Sequence, residues 1–160
     1  TGWRDWNTGV GLLEGCVASY EETKTGLGPE IVSFGEGEHE EGKEKERDWY
    51  IEGHGEGRMP YEARYILRPE TLESLFIAYR LTNDQKYRDQ AWRIFLAIEK
   101  WCKVEGGYAT VLDVDFSEVV GVRREDKQET FFLAETLKYL WLIFADGGVL
   151  PLNGASVTDI

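Results

Sequence analysis

The chain has 160 residues, with 18 basic against 30 acidic side chains and a formal net charge of −12 at pH 7. That balance excludes nucleic acid and anionic membranes as partners, since both demand a basic surface. It permits a neutral polar ligand or a cation such as Ca²⁺, which takes oxygen donors. The length suits one domain with a core of its own. Six Trp, eight Tyr and seven Phe suit that core, and equally suit stacking on sugar rings. The two cysteines, Cys16 and Cys102, are too few for a disulfide scaffold or a four-cysteine zinc site. They can pair with each other, stay free or find a partner elsewhere. No run of 18 apolar residues marks a membrane span, and no signal peptide opens the chain. Thr1-Gly2-Trp3 reads as the start of a processed chain or of a piece of something longer.

In chain order, Leu12, Leu13, Cys16, Val17 and Tyr20 recur at helical spacing and predict a helix over 9–24. Gly26-Leu27-Gly28-Pro29 stops it, and 30–34 is a short β-prone piece. Residues 35–59 read as an inserted surface loop, in which the Gly- and charge-rich run from Gly35 to Asp48 has almost nothing to bury. His39 and His54 are expected to be solvated there rather than to bind metal. A second β-prone piece, 61–67, leads to a helix from Pro69 to about Leu81, a turn and cap at Thr82-Asn83-Asp84, and a helix over 85–103. Gly106-Gly107 breaks that helix, 108–114 reads as strand and 115–125 as loop. The last helix starts near Asp126, where Asp126-x-x-Glu129 resembles a capping box, and runs to Phe144. It is apolar nearly all round, which predicts a buried helix. Glu135 within it then needs a cation, Arg68 or Lys138, or has a functional task. Long helices joined by brief β turns give an all-α fold of solenoid or toroid type.

One run stands out: Arg68-Pro69-Glu70-Thr71-Leu72-Glu73-Ser74. Proline is tolerated in the first turn of a helix. Glu70 and Glu73, three apart, share a face, with Cβ atoms about 5–6 Å apart. Two carboxyl groups beside a fixed cation can divide acid, base and hydroxyl-binding work. The plainer reading is a solvated acidic face, because Leu72, Leu75, Phe76 and Tyr79 make an apolar stripe on the opposite side.

These residues closely resemble the class I α-1,2-mannosidases, glycoside hydrolase family 47. The match runs through Thr25-Gly26-Leu27-Gly28-Pro29-Glu30, Leu67 to Ser74, Tyr79-Arg80-Leu81-Thr82, Lys86-Tyr87, Ala97-Ile98-Glu99-Lys100, Gly107-Tyr108-Ala109 and Asp113-Val114. Its longest segment is Lys127 to Leu140. Together the motifs cover about 16–152 apart from the charged loop. The resemblance implies an (α/α)₇ barrel, incomplete in this chain, with the site inside one end and a β-hairpin plugging the other. Residues 1–160 would be the C-terminal portion of one catalytic domain. In a barrel the helix face away from the packing stripe can line the cavity, so Glu70 and Glu73 need not face solvent.

The activity implied is hydrolysis of α-1,2-linked mannose from high-mannose N-glycans, with inversion and with Ca²⁺. Glu70 resembles the general base and Glu30 an active-site glutamate. Arg68, Glu73 and Glu129 resemble residues that bind the sugar or its waters, Phe131 an aromatic against the ring, and Glu135 a carboxylate near the ion. Thr158, in Thr158-Asp159, matches the family's Ca²⁺-coordinating threonine after a one-residue gap. Cys16 resembles one half of a family disulfide whose partner lies upstream. The family's general acid is also upstream of Thr1, which implies that this chain is inactive alone and works with the missing N-terminal part. The lumen of the ER or Golgi is the compartment implied. The other reading is a glycoprotein quality-control module that binds high-mannose glycans without cleaving them.

Overall fold

The computed structural model describes residues 2–34, 47–54, 59–116 and 121–152. Helix α1 spans Gly2–Glu21, starting seven residues before the periodicity suggested. Four glycines in its first fifteen positions (2, 9, 11 and 15) blur the helical signal, yet none has a neighbour that a side chain would meet. Its C-terminal half buries Leu13, Val17 and Tyr20.

Strand β1 (Ser33–Phe34) pairs antiparallel with β2 (Trp49–Tyr50), in register Ser33 to Tyr50 and Phe34 to Trp49. The expected loop therefore returns as structure at its far side. Trp49 and Ile51, which fall inside the expected surface loop 35–59, are buried. The acidic run 35–46 and residues 55–58 lie outside the described residues, and His39 with them. A 3-10 turn follows at Tyr61–Ala63.

Helix α2 spans Glu70–Thr82 with Pro69 at its N-cap. Leu72, Leu75, Phe76 and Ala78 are its buried face, close to the predicted stripe. Asn83 closes it in the left-handed conformation (φ 56°), and Asp84 accepts the Lys86 N–H to open α3, Gln85–Trp101. The two-residue turn folds α3 back beside α2. Gly106, at φ 88°, turns the hairpin of β3 (Lys103–Val104) and β4 (Gly107–Tyr108). The predicted strand 108–114 thus divides: β5 (Thr110–Val111) pairs with β6 (Arg124–Glu125), inside what read as a loop.

The last helix departs most from expectation. It opens at Phe131, passes through a π-helical segment, Phe132–Thr136, and continues as α4, Leu137–Phe144. Asp126 and Glu129 do not form a capping box. The backbone there is committed elsewhere, with Thr110 N–H donating to the Lys127 carbonyl. Nor is the helix buried all round: Leu133, Trp141 and Phe144 are exposed, while Phe132, Leu140, Leu142 and Ile143 enter the core. That core is packed between α1, α2, α3 and α4. Both cysteines are free, Cys16 exposed and Cys102 buried, so they do not bridge each other.

Candidate active site

Two short backbone devices deliver the charged residues to one place. The first is the turn after α1. The Thr23 hydroxyl donates to the Leu27 carbonyl (2.9 Å) and accepts the Gly26 N–H (3.1 Å), while Leu27 N–H donates to the Thr25 hydroxyl (3.2 Å). Gly26 sits at φ 73°, where glycine carries no steric cost. Gly28 passes so close to Tyr20 that a Cβ would fall 2.7 Å from the ring's Cδ2, and Tyr20 is buried edge-on against Tyr65. Glycine is needed there for space rather than for φ. The chain then reaches Glu30.

The second device precedes α2. Leu67 is a buried non-glycine residue at φ 67°, a left-handed conformation that side chains rarely adopt. The buried Thr136 hydroxyl donates to its carbonyl at 2.6 Å and holds it. The next residue is Arg68, so the strained turn aims the guanidinium.

Arg68 is the hub. Its Nε donates to both oxygens of Glu30 at 3.1 Å, and Nη2 donates to Oε1 at 2.6 Å. These charge-assisted contacts push the Arg68 pKa further up. The Glu30 side chain is 9% exposed and that of Arg68 43%. Arg68 Nη1 lies 3.7 Å from Glu70 Oε1, and the Glu70 side chain is 64% exposed. The same guanidinium lies 5.7 Å from the centre of the Phe131 ring. Glu73, one turn along α2, accepts the Tyr139 hydroxyl at 2.6 Å. That bond, and burial after it, pushes the tyrosine up to about 12. Glu129 pairs with Lys127 at 2.6 Å. Glu135 is half-buried and makes no ion pair with Arg68 or Lys138 among the described residues. Arg68 is committed to Glu30, and the helix around Glu135 is more open than its composition suggested. Thr158 lies outside the described residues.

The structure therefore joins Glu30, Arg68, Glu70 and Phe131 directly, and ties Glu73 to α4 through Tyr139. Sequence reading missed Tyr139 and Thr136, which looked like ordinary positions of an apolar helix. Chemically, an exposed carboxylate beside a guanidinium can accept a proton from water. A guanidinium with donors to spare can bind hydroxyls, and an aromatic face can take the apolar side of a sugar. Ca²⁺ calls for six to eight oxygens. Among the described residues no group of three or more His, Cys, Asp or Glu converges to hold a metal. Glu30 and Glu73 are moreover engaged by Arg68 and Tyr139. The described residues do not make a Ca²⁺ shell by themselves.

A second charged cluster lies at the return of the β1–β2 pair. His54 Nε2 is 2.9 Å from Asp113 Oδ1, and Arg47 Nη1 is 2.6 Å from Asp115 Oδ2. Asp113 also accepts the Asp115 N–H, and Asp115 the Lys24 N–H. His54 is thus half-buried and partnered, contrary to its expected solvation. The bond from Asp113 raises its pKa despite burial. Asp113 is held below its ordinary value by His54 and the Asp115 N–H, against the opposing pull of its own burial.

Comparison with known proteins fits this arrangement. The model of glycosyl hydrolase family 47 matches residues 2–157. The chain is 48% identical over 150 residues to mannosyl-oligosaccharide 1,2-alpha-mannosidase MNS3 of Arabidopsis thaliana, covering 89% of this chain and 23% of that protein. It is 43% identical over 145 residues to mannosyl-oligosaccharide alpha-1,2-mannosidase IA of Drosophila melanogaster, covering 91% of this chain and 19% of that protein. Among solved structures, the α-1,2-mannosidase from Trichoderma reesei aligns with a TM-score of 0.66 at 33% identity, over 84% of this chain and 27% of that one. The chain belongs to glycosyl hydrolase family 47. Among the described residues, its four α-helices and short antiparallel strand pairs align with part of that solved mannosidase, whose fold is an (α/α)₇ barrel. It spans about a fifth of the length of the curated relatives it matches.

Proposed function

We propose that the chain forms the base side of an inverting, Ca²⁺-dependent α-1,2-mannosidase site acting on high-mannose N-glycans. The observation that carries this is the division of labour around Arg68. Its guanidinium clamps the nearly buried Glu30 and leaves Glu70 exposed 3.7 Å away. Glu70 takes a proton from the water that attacks the anomeric carbon as the bond to the glycosidic oxygen breaks. The leaving oxygen receives its proton from an acid on the opposite face, with the two carboxyl groups about 6.5–9.5 Å apart in inverting enzymes. We place that acid in the family's remaining length. Arg68 orients Glu70 and offers its free donors to sugar hydroxyls. Phe131 takes the ring, while Glu73, Glu129 and Glu135 bind hydroxyls or waters. Ca²⁺ would hold the sugar's hydroxyls, with Thr158 as one ligand, and no proton step passes through it. The lumen of the secretory pathway is the compartment that goes with this substrate. Among the described residues no helix is long and apolar enough to cross a membrane.

The test recombines the purified chain with the N-terminal part of a family 47 mannosidase. Mannose release from α-1,2-mannobiose should be absent for the chain alone, appear on recombination and vanish with a chelator. Glu70→Gln should abolish turnover and keep sugar affinity. Release by the chain alone would refute the placement of the acid. Sugar binding with no turnover in any combination would favour a glycan-binding module instead.

A further inference from the structure

Asp113 and Asp115, 8% and 7% exposed, are buried carboxylates that the proposed mechanism leaves unused. They flank Val114, whose backbone is shared between the two segments that deliver the site. Its carbonyl accepts the Thr25 N–H at 3.2 Å, in the turn that leads to Glu30. Its N–H donates to the Ala63 carbonyl at 2.9 Å, in the segment that leads to Arg68. Close by, Tyr65 and Val111 exchange both backbone hydrogen bonds, at 2.9 and 3.1 Å. Asp115 adds a further tie to the turn, accepting the Lys24 N–H at 3.0 Å.

The same two aspartates also hold Glu30 from its other side. The chain runs from Glu30 into β1, and β1 pairs with β2. Strand β2 is bracketed by Arg47 and His54, which meet Asp115 at 2.6 Å and Asp113 at 2.9 Å. Arg47 also lies 4.0 Å from the centre of the Trp49 ring, whose indole N–H donates to Glu22 at 2.7 Å. The contacts thus close a circuit from Glu30 through β1, β2 and the ion pairs to 113–115, and back through Thr25. Two buried carboxylates this close in sequence repel each other unless each has its cation. Losing one cation leaves a buried charge without compensation, and the cost falls on the segments that carry Glu30 and Arg68. Facing His54 are Asp113 and Asp115, Arg47 from its own segment, and Glu22 and Lys24 from the turn after α1, around a polar cavity open to solvent. Arg47 stays charged at any working pH, so His54 is the half that titrates near neutrality.

We propose that His54–Asp113 and Arg47–Asp115 form a clasp that positions Glu30 against Arg68, and that the His54 half lets go as its imidazole loses its proton. Its bond to Asp113 raises His54 above 6.5, so the clasp is complete below that value and loosens as pH rises through the folded one. The part this gives His54 and Asp113 in catalysis rests on the proposed function, but the clasp is tested without sugar. Urea unfolding of Arg68→Gln, Glu30→Gln and the double variant measures how strongly the two residues depend on each other, at about pH 5.5 and about pH 8.5. At the lower pH the coupling in the parent protein should be about five- to thirtyfold in the unfolding constant. In a His54→Gln or Asp113→Asn background it should fall by at least about threefold, more than the roughly twofold scatter of independent sites. The parent should show the same fall at the higher pH, and His54→Gln should show no such pH dependence. A clasp that only adds stability would make each background easier to unfold and leave the coupling unchanged, and that result would overturn the proposal. So would a parent coupling that keeps its size at the higher pH. This last arm alters no residue of the clasp, so it decides the matter even if Asp113→Asn does not fold. Absence of turnover on recombination would sink the proposed function and leave the coupling result standing.

Discussion

Replacing Arg68 with glutamine tests the centre of the arrangement. Glutamine keeps much of the stem but removes the charge that faces Glu30. Breaking one side of a fully buried ion pair costs about 3–5 kcal/mol, because a charge is left without compensation. Glu30 meets that condition at 9% exposure, whereas Arg68, at 43%, lets water reach the pair. Screening of that kind reduces the cost to roughly 2 kcal/mol. For a chain of this size the corresponding fall in Tm is about 4–8 °C. Urea unfolding followed by tryptophan fluorescence measures it, with Glu30→Gln and the double variant completing a cycle. Glu30→Gln should relieve the stranded charge, so the double variant should be about 1–2 kcal/mol better than the sum of the singles. Additivity within about 0.5 kcal/mol would refute the claim that Arg68 holds Glu30. It would also remove the basis for treating Glu70 as the free carboxylate of the two.

Three further outcomes follow from other contacts. His54, raised above its ordinary 6.5 by Asp113, gives stability that is complete below that value and lost as pH rises through its folded pKa. Asp113, lowered from 3.8, gives stability present above that value and lost as pH falls through its own. Tm should therefore peak between about pH 4 and 6.5 and decline toward pH 8, and His54→Gln should flatten that alkaline decline. Of the two thiols, Cys16 should react with a maleimide in the native protein. Cys102, whose burial pushes it up to about 12, should react only on unfolding, which mass spectrometry of the labelled peptides will show. Gly28→Ala should cost about 1–3 kcal/mol in urea unfolding, since its Cβ meets the buried Tyr20 ring. A Tyr20→Leu background, with the ring gone, should recover part of that loss.

What the sequence made legible was local. Pro69, Asn83-Asp84 and Gly106 act through their own backbone preferences, and α2, α3 and the β3–β4 turn fall where those residues put them. What it hid was set by distant partners. Asp126 and Glu129 have the chemistry of a helix start, but β6 and its neighbours are drawn into pairing with Thr110–Val111. His54 finds Asp113 and Glu73 finds Tyr139 across 59 and 66 positions. Trp49 and Ile51 were overlooked because charge dominates their neighbourhood. The site was half legible. The family motif singled out Glu30, Arg68, Glu70 and Phe131, and the fold brings these together around one guanidinium. Thr136, which holds Leu67 in place, carries no signal except its position beside Glu135.

The π-helical segment sets a rule for change in this chain. Its wider turn carries one residue more than an α-helix would, and each residue of an α-helix turns about 100°. Phe131 on one side of it serves Arg68, while Thr136 and Tyr139 serve Leu67 and Glu73. Deleting any one residue of 132–136 would allow a regular helix with better hydrogen bonds. It would also swing Phe131 away from Arg68, or Tyr139 away from Glu73. The stretch can tolerate many letters but only one length, so gaps between family members should avoid it even where side chains vary.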